Sequence, residues 1–598
     1  MIPTIEILER ISQNSKKNKD EIFTKLYRYM LRPDIYYIAY QKLYKNKGAG
    51  TKGVDNDTAD GFSEEIIQKI IKSLKDETYQ PKPVRRTYVS KTNGKVRPLG
   101  IPTFTDKLIQ EVLRMILESI YEPIFLNESH GFRPNRSCHT ALRQIKYGFV
   151  AVRWFIEGDI KGCFDNINHA ALTKLINKKI KDARLLKLIY KFLKAGYLED
   201  WKYNKTYSGT PQGGIISPIL ANIYLHELDL FIEKKAKEFN KPSEQYRTDE
   251  YMKKQSEIAS IRYYLEKAEG EERKRLIKDM KKCKLELLKT PMKLQTDKKI
   301  RYIRYADDFL IGVNGSKEDC EKIKKELTLF LRENLIKLEL SQEKTLITHS
   351  SKEVRFLGYN VKIRRNQEIF KVKGPTKNYT KRKLNNMVEL GIPLDEKIMK
   401  FLFEKGIIKQ KDGKISSKRR QNFITLSDLE IVSAFNAEIR GICNYYNLAV
   451  NFHKLSYFAY LMEYSCLKTL ASKHDTSVAK IRKKYQMGSG GWAIPYDIKS
   501  GKKFLYFIRY QDCKETKNPE DLVQNKAIQH QTARSSLENR LKSKICELCG
   551  NENADFYEIH HINKLKNLKG KSLWERTMLA KKRKTLVLCR DCHKNIHR

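Results

Sequence analysis

The sequence predicts a multidomain α+β protein, and three observations support this prediction. The 598-residue chain is long enough for several domains of roughly 100–200 residues each. Short apolar runs flank the pair Asp307 and Asp308 and precede Asp159, as is typical of strands, whereas Tyr457 to Leu470 has apolar residues at helical spacing. Two Cys-x2-Cys pairs near the end of the chain indicate a further small module built around zinc.

The first candidate site is the tetrapeptide Tyr305-Ala306-Asp307-Asp308, which lies between two short apolar runs. A tight turn there would bring both carboxylates together in solvent, with no lysine beside them in the sequence. Two uncompensated carboxylates repel each other and attract a divalent cation, as metal-assisted phosphoryl transfer requires. Because Asp is also common in turns, the tetrapeptide alone leaves a purely turn-forming pair equally open.

A second carboxylate site favours the metal interpretation. The apolar run from Trp154 ends in Asp159, which predicts a strand that presents this carboxylate before a turn into a helix. A two-metal site needs oxygen ligands from separate segments around ions about 3.5–4 Å apart. Asp159, Asp307 and Asp308 would supply such ligands if the two strand elements are neighbours in one sheet. The alternative is that Asp159 only caps the following helix.

The charge of the chain indicates a polyanionic partner. There are 118 Lys and Arg residues against 71 Asp and Glu residues, which gives a net charge of +47. Such self-repulsion is best tolerated when a polyanion neutralises it, and interleaving with 33 Tyr and 24 Phe favours nucleic-acid surfaces that combine phosphate contacts with stacking. No apolar run approaches the roughly 18–20 residues that span a bilayer, and no secretory signal opens the chain. We therefore expect no membrane partner and a cytoplasmic, intracellular protein.

The cysteines fall into two groups. Four of the 11 form the pairs Cys546, Cys549 and Cys589, Cys592, which predict a structural Zn2+ site. Between the pairs lie 39 residues, more than the roughly 15–20 of a simple zinc ribbon. The other seven are scattered singly and are typical of reduced, buried thiols; they are Cys138, Cys163, Cys283, Cys320, Cys443, Cys466 and Cys513.

Further motifs occur in a fixed order around the carboxylates. They are Arg97–Pro102, Ser208–Gly214, Leu340–Thr345, Phe356–Tyr359 and Arg440–Tyr446. In this order they resemble the blocks of a reverse transcriptase of the group II intron-encoded type, and the resemblance extends over essentially the whole chain. It implies a right-hand polymerase with fingers, a palm with an antiparallel sheet and a helical thumb, followed by a small zinc-stapled ββα-metal HNH module.

The resemblance divides the chain into regions, and we expect the fingers, palm and thumb to have cores of their own, separate from the tail. A strongly charged segment at about 234–298 predicts a solvent-exposed helical hairpin inserted between palm blocks, with RNA contact as an alternative to a solvated face. The regions are the N-terminal extension of the fingers (residues 1–75), the fingers and palm (76–361), the thumb or maturase domain (362–487), a DNA-binding connector (488–540) and the HNH endonuclease (541–598).

For the polymerase, the resemblance implies that Asp159 and Asp307 are shared ligands of two Mg2+ ions, with Asp308 as a weaker third ligand. Phe164, five residues after Asp159, would stack under the incoming sugar and exclude a 2′-hydroxyl. A phenylalanine of the hydrophobic core is the competing interpretation of Phe164.

The remaining nucleotide-binding residues are also implied by the resemblance. Arg97, assisted by Lys95, would grip the triphosphate. Gln212 would lie beside the nascent base pair, where glycines permit close backbone approach. Lys344 would donate a proton to pyrophosphate, and Phe356–Gly358 would form the turn that holds the primer.

In the tail, the adjacent histidines His560 and His561 resemble those of an HNH nuclease. The resemblance implies that His561 is the base for water and that His560 holds a divalent ion, with Mg2+ expected. His593 and His597 compete for the remaining ligand role. A zinc-stapled DNA-binding knob without catalysis is the alternative.

The middle Asn of the HNH motif departs from the family pattern. Where many HNH nucleases carry Asn, this chain has Lys584 and Thr585. Asn563 or Asn567 could substitute, and the sequence does not choose between them.

The function implied by these motifs is that of a multifunctional enzyme. It would be a reverse transcriptase that uses deoxynucleoside triphosphates, a maturase for group II intron RNA, and an endonuclease that cuts double-stranded target DNA to prime reverse transcription. A structural RNA-binding splicing factor without enzymatic function is a second hypothesis, against which the intact carboxylates and cysteines argue. A reverse transcriptase from a retron or a diversity-generating element is a third, but it would need neither the thumb motif nor the HNH tail.

Overall fold

A computed structural model gives the fold of the chain. It describes residues 2–46, 48–90, 94, 96–199, 202–204, 209, 213–241, 247–292, 298–335, 338–341, 343–366, 368–375, 378–488, 491–498, 501–514 and 537–597. Two residues with predicted nucleotide-binding roles, Lys95 and Gln212, lie outside the described residues, as do residues 515–536 of the predicted connector.

The N-terminal region consists of helices around one short strand. Its elements are α1 (Thr4–Lys17), α2 (Pro33–Leu43), β1 (Phe62–Ser63) and α3 (Glu64–Lys75). The Ser63 side chain caps α3 by accepting a hydrogen bond from the Ile66 amide, and the apolar residues of α3 are buried at helical spacing.

The next region contains two four-stranded sheets and the helices that cover them. Its elements are β2 (Val84–Ser90), β3 (Val96–Ile101), α4 (Phe104–Tyr121), α5 (Cys138–Gly148), β4 (Trp154–Asp159), α6 (Cys163–Asn166), α7 (His169–Lys179), α8 (Ala183–Lys194), β5 (Tyr197–Glu199), β6 (Lys202–Asn204), α9 (Ser217–Phe239), α10 (Asp249–Lys267), α11 (Gly270–Lys289), β7 (Lys299–Tyr305), β8 (Asp308–Asn314), α12 (Lys317–Glu333), β9 (Ile347–His349), β10 (Val354–Phe356) and β11 (Tyr359–Ile363). The strand orders are β3-β2-β5-β6 and β7-β8-β4-β9, and the second sheet is antiparallel throughout.

The structure therefore confirms the predicted hairpin around Asp307 and the strand that ends at Asp159. Within the charged segment it has the two exposed helices α10 and α11.

The following region is mainly helical. Its elements are β12 (Ile369–Lys373), β13 (Asn378–Arg382), β14 (Val388–Gly391), α13 (Lys400–Glu404), β15 (Ile408–Lys411), β16 (Lys414–Ser417), α14 (Asp428–Tyr445), α15 (Leu455–Lys473) and α16 (Val478–Tyr485). Helix α15 contains the segment for which the sequence predicts a helix, and it buries Phe458, Leu461 and Met462. The Tyr445 hydroxyl, at the end of α14, donates a hydrogen bond to the Leu357 carbonyl at 2.7 Å. The thumb motif thus packs on the turn between β10 and β11.

The last described region has a hairpin, a short connection and a ββα unit. Its elements are β17 (Ala493–Ile498), β18 (Gly501–Tyr506), α17 (Tyr510–Lys514), α18 (Leu537–Lys542), β19 (Tyr557–His561), α19 (Leu573–Lys581), β20 (Thr585–Cys589) and α20 (Arg590–His597). β19, β20 and α20 are the predicted ββα arrangement. The sheet order is β1-β19-β20, so a strand of the N-terminal region forms its edge.

Two hydrophobic cores lie on opposite faces of the antiparallel β7-β8-β4-β9 sheet. Because side chains alternate along a strand, Ile156 and Ile311 belong to one core and Phe155 and Leu310 to the other. The first core extends through α2 and α4 into the ββα unit, and the second extends through α14 and α15. The expectation of a separate core for the tail is therefore wrong, since Phe62 and the β19 residue Ile559 belong to one cluster.

A buried ion pair holds the turn that carries Asp307. Arg304, on β7, and Asp229, on α9, have fully buried side chains, and two guanidinium nitrogens each lie 2.7 Å from a carboxylate oxygen. The same guanidinium donates to the carbonyl of Ala306 at 2.9 Å and to the Ser129 hydroxyl at 2.7 Å. Gly131 packs against the other side of the turn, where a Cβ atom would lie 2.3 Å from the Ala306 nitrogen. Arg304 and Gly131 thus hold the backbone of the turn at Ala306 in place.

Arg304→Met tests the contribution of this pair. It would leave the Asp229 carboxylate buried without a counter-charge, which costs about 3–5 kcal/mol of stability. The exposed pair of Lys178 with Glu227, also on α9, supplies the control Lys178→Met, for which we expect about 1 kcal/mol or less. Denaturant unfolding of both variants is the measurement, and equal losses of stability would contradict the assigned role.

Candidate polymerase and nuclease centres

The register of the antiparallel sheet brings the three predicted carboxylates together. Asp159, the last residue of β4, is directly opposite Asp308, the first residue of β8. Asp307 directly precedes Asp308, in the turn that connects β7 to β8. Its neighbour in this turn, Ala306, has a positive φ of 59°. The condition that both strand elements be neighbours in one sheet is therefore met. The carboxylates come from separate segments, as a two-metal site requires.

The electrostatics of the three carboxylates favour a cation. Burial and the charge of Asp159 raise the pKa of Asp307, although Arg97 and Lys344 oppose the shift. Burial and the charges of Asp307 and Asp159 raise the pKa of Asp308 to about 6. Crowded carboxylates resist ionisation, and a divalent ion would remove that penalty. Oxygen donors are the ligands that Mg2+ prefers, so the residues fit the expected ion.

Lys344 contacts this site directly. Its Nζ lies 2.6 Å from Asp159 Oδ2, and this hydrogen bond raises the pKa of the lysine. The lysine is distant in sequence from both carboxylate motifs. It reaches Asp159 because the Ser341 amide donates to the Asp159 carbonyl at 2.8 Å and holds the intervening loop beside β4. The structure therefore brings Lys344, which the resemblance assigned to the nucleotide site, into direct contact with a predicted metal ligand.

The other predicted nucleotide-binding residues that the structure describes flank the carboxylates. Arg97 is exposed on β3 and is close enough to act electrostatically on Asp307. Phe164 is half-buried on the short helix α6, edge-on to Phe132 with ring centroids 6.2 Å apart. Gly209 has a φ of +86°, and a Cβ atom there would lie 2.7 Å from the Phe164 carbonyl oxygen. The Phe164 side chain thus packs partly against the hydrophobic core and is partly exposed.

A second cluster of ligand atoms lies in the ββα unit. His560, His593, His597 and Asp60 each place one ligand atom within 4.8 Å of the others. His593 Nε2 and His597 Nε2 are 3.2 Å apart, and Nδ1 of the buried His560 lies 3.2 Å from Asp60 Oδ1. Imidazole nitrogens and a carboxylate oxygen gathered around one point fit a divalent cation at this position. Both C-terminal histidines that competed for the ligand role are in the cluster.

The orientation of His593 is fixed by a carboxylate behind it. Its Nδ1 lies 2.5 Å from Glu558 Oε2, which directs Nε2 towards the cluster. This carboxylate–histidine arrangement is the usual support of a metal-bound imidazole. Burial opposes the charged form of His593, but the hydrogen bonds to Asp60 and Glu558 outweigh it and raise its pKa to about 9.

His561, the predicted base, projects from the opposite face of β19. Its ring is edge-on to Tyr44, and its Nε2 lies 3.1 Å from the Tyr44 carbonyl oxygen. Burial lowers the pKa of His561. The alternation of a strand explains why adjacent histidines have different surroundings. In this arrangement the N-terminal region covers the imidazole of His561.

The four C-terminal cysteines come together as the sequence predicts. Cys546, Cys549, Cys589 and Cys592 place their Sγ atoms within 4.8 Å of one another. Zn–S bonds of about 2.3 Å in a tetrahedron separate sulfur atoms by about 3.8 Å, and the Cys549 and Cys589 sulfurs are 3.7 Å apart. The geometry fits a structural Zn2+ ion.

The two candidate asparagines are both exposed and follow β19. A Cβ atom at Gly50 would lie 2.7 Å from the side-chain oxygen and nitrogen of Asn563, so this amide lies against the N-terminal region. Asn567 ends a short 3-10 helix, Leu565–Asn567. The choice between them stays open.

Sequence reasoning missed three residues of these centres. Asp229 and Arg304 stabilise the turn beneath Asp307, and Asp60 joins the histidine cluster. For Arg304 and Asp229, a possible signal was the arginine directly before the tetrapeptide Tyr305–Asp308. Asp60 gave no local signal, because its partners are about 500 residues away in the sequence.

Comparison with known proteins matches three successive segments of the chain to family models. The reverse transcriptase (RNA-dependent DNA polymerase) model matches residues 89–263 and 274–361. The type II intron maturase model matches residues 385–532, and the AI2M/AI1M-like HNH endonuclease model matches residues 546–593. The group II intron-encoded protein LtrA of Lactococcus lactis subsp. cremoris is 58% identical over 600 residues, which cover 100% of this chain and 99% of LtrA. The chain belongs to the group II intron-encoded proteins.

More distant relatives also match nearly the whole chain. The uncharacterized 91 kDa protein in the cob intron of Schizosaccharomyces pombe is 36% identical over 99% of this chain and 72% of that protein. The putative COX1/OXI3 intron 2 protein of Saccharomyces cerevisiae is 32% identical over 99% of the chain and 68% of that protein.

Family membership establishes the general activities of this group II intron-encoded protein. It is a multifunctional protein with RNA-directed DNA polymerase, maturase and HNH endonuclease domains. Reverse transcriptase and HNH domains generally use divalent metals, and proteins of this kind have RNA and DNA partners. Among the described helices, none combines the length and the apolar composition that crossing a bilayer requires.

Phe164→Val tests the predicted exclusion of ribonucleotides. If the ring blocks a 2′-hydroxyl sterically, its removal should raise ribonucleotide incorporation relative to deoxynucleotide incorporation by at least about tenfold. Phe231→Val is the control, because Phe231 is a partly buried phenylalanine that stacks on Phe330 at 4.2 Å. Single-nucleotide extension with each substrate is the measurement. An unchanged ratio in Phe164→Val would favour the core interpretation.

Cys546→Ser tests the zinc site. The variant should lose the zinc ion expected at the four cysteines and unfold at lower temperature, because that ion would hold β20 and the loop before β19 together. Cys283→Ser on α11 is the matched control, since this thiol lies apart from the four cysteines and contacts Glu257. Metal analysis and thermal unfolding are the measurements. Full zinc content in Cys546→Ser would exclude the predicted ligand set.

Proposed function

We propose that the chain binds the RNA of its own group II intron and assists its splicing. It then cuts one strand of a double-stranded DNA target and copies the intron from the cleaved 3′ end. The observation that carries the proposal is the meeting of Asp159, Asp307 and Asp308 at one edge of the antiparallel sheet. A divalent-ion site would explain why three carboxylates are brought together there.

In this proposal Asp159 and Asp307 hold two Mg2+ ions, and Asp308 is a weaker third ligand. The ions would supply activation of the primer 3′-hydroxyl and neutralisation of the leaving pyrophosphate. The Lys344 ammonium now neutralises Asp159. Once Mg2+ ions neutralise Asp159 instead, Lys344 would donate a proton to the pyrophosphate.

Around these ligands, four further residues would bind a deoxynucleoside triphosphate. Arg97, whose charge acts on the Asp307 carboxylate, would grip the triphosphate with Lys95. Phe164 would lie under the sugar and exclude a 2′-hydroxyl. Gln212 would lie beside the nascent pair.

In the nuclease, His560, His593 and His597 would hold a divalent ion, with Mg2+ expected, and His561 would take the proton from water. The four cysteines would hold a structural Zn2+ ion that maintains the module. The cluster geometry supports a metal-dependent nuclease over the alternative of a DNA-binding knob, because a knob needs no three histidines and a carboxylate gathered around one point.

The net charge of +47 supports the polyanionic partners. Intron RNA would contact the N-terminal region and the thumb, and the charged faces of α10 and α11 offer further basic surface. We also propose that the protein works inside the cell, where the intron RNA is made, as a ribonucleoprotein.

One set of variants tests both activities of the intron-bound protein. Asp159→Asn and Asp307→Asn should each remove a metal ligand and several kcal/mol of transition-state stabilisation, which lowers the rate of DNA synthesis more than about a hundredfold. RNA binding and DNA cleavage should persist, because the nuclease centre and the phosphate contacts lie elsewhere. Asp20→Asn, at a fully exposed side chain, controls for the loss of one charge.

His561→Ala in the same assays should give the converse pattern. It should leave primer extension intact and abolish cleavage of labelled target DNA, because only the proposed base is removed. Extension by Asp159→Asn at the wild-type rate would overturn the polymerase assignment. Normal cleavage by a folded His561→Ala protein would refute the proposed base and favour the DNA-binding knob.

A further inference from the structure

The histidine cluster of the nuclease contains a fourth ligand group that comes from the other end of the chain. Asp60 Oδ1 lies 3.2 Å from His560 Nδ1 and 3.3 Å from His593 Nε2. The second oxygen, Oδ2, lies 2.8 Å from His597 Nε2. The carboxylate therefore points at the position that three imidazoles surround, and all four ligand atoms lie within the span of one coordination sphere.

The backbone on both sides holds Asp60 in this position. Directly after it, the Gly61 amide donates to the Ile559 carbonyl at 3.0 Å, and β1 then pairs with β19. The His561 amide donates to Asp60 Oδ1 at 2.7 Å. Because the strand beside the histidines is itself the pairing partner, Asp60 is built into the nuclease sheet and is not a loose surface side chain.

Three histidines and one carboxylate would complete a four-coordinate centre. Catalytic sites of this kind keep one position open for water or substrate, whereas sites in which four protein groups bind the metal are closed. A DNA phosphate oxygen would have to take the position that the Asp60 carboxylate occupies, and the like charges of phosphate and carboxylate would repel each other. With Asp60 in place, a four-coordinate ion at this centre has no position left for the scissile phosphate.

The proposed base is covered by the same region of the chain. His561 Nε2 contacts the backbone carbonyl of Tyr44, which can only accept a hydrogen bond. That nitrogen must therefore carry the hydrogen, which leaves Nδ1 as the nitrogen that can take a proton from water. The contact with Tyr44 thus orients the proposed base, whereas Asp60 occupies the metal position, and both residues belong to the N-terminal region.

We propose that Asp60 is a fourth metal ligand, supplied to the nuclease by the N-terminal region of the polymerase, which closes the metal centre and prevents DNA cleavage until the two regions separate. The inference rests on the proposed nuclease function, since it needs the three histidines to hold an ion. It assigns to the N-terminal region a role in the timing of cleavage. Separation would open the fourth position, because the pairing of β1 with β19 holds Asp60 beside the histidines.

The test is a titration of the full-length, zinc-loaded protein with Co2+, followed by its visible absorption. Four-coordinate Co2+ absorbs much more strongly than five- or six-coordinate Co2+, so the spectrum reports whether a fourth protein ligand is present. Asp60→Asn keeps an acceptor for the His561 amide and so preserves the docked strand, and Asp60→Ala removes the ligand completely. Asp57→Asn is the matched control, because its carboxylate accepts a hydrogen bond from the Thr105 amide, away from the histidines.

We expect Co2+ affinity to fall at least about tenfold in both Asp60 variants, with loss of the four-coordinate spectrum. Asp57→Asn should match the wild type, and circular dichroism should show all variants folded. With Co2+ bound at saturating concentration, target DNA cleavage by the intron-bound Asp60→Asn protein should rise several-fold.

Two results would overturn the inference itself. A wild-type Co2+ spectrum and affinity in both Asp60 variants would exclude Asp60 as a ligand, and cleavage that does not rise would exclude its inhibitory role. The variant His593→Ala distinguishes a failure of this inference from a failure of the proposed nuclease function. If His593→Ala keeps the full signal, the histidines do not form the metal centre, and the proposed nuclease function fails together with the inference.

Discussion

The polymerase centre depends on the buried ion pair between Arg304 and Asp229. Carboxylates that repel one another stay together only if the backbone that carries them cannot relax. Arg304 holds the turn at Asp307 in place, because it binds Asp229, Ser129 and the Ala306 carbonyl at once. The fully buried guanidinium has its charge neutralised and its donors satisfied, so it fixes geometry where an apolar side chain would only fill space.

The same sheet joins the three activities. One of its faces contributes to the core that continues through the N-terminal region into the nuclease, and the other to the core of the thumb. The thumb reaches back to the turn at Leu357 through Tyr445, and the nuclease shares a sheet with the N-terminal strand at Phe62. Polymerase and nuclease are therefore packed together, and a change in their docking would alter the access of DNA to the histidines.

Local patterns in the sequence predicted most of the elements that carry chemistry. The strand before Asp159, the hairpin around Asp307 and the cysteine pairs follow from strand alternation, turn chemistry and ligand spacing. The contacts between distant segments that complete each site could not be predicted from such local patterns. Lys344 reaches Asp159, and Asp60 reaches His593, only after distant segments pack side by side, and nothing within a few residues of either signals the partner. The different surroundings of His560 and His561 follow from alternation, but the covering of His561 by Tyr44 depends on the docking of the N-terminal region.

The most direct test of the central claim is anomalous X-ray scattering from crystals of the full chain with Mn2+, a template–primer and a deoxynucleoside triphosphate. The account predicts manganese between the carboxylates of Asp159 and Asp307, with the Lys344 ammonium moved off Asp159, and zinc among the four cysteines. Ordered template–primer and nucleotide with no manganese at Asp159 and Asp307 would contradict the assignment of these carboxylates as the polymerase centre.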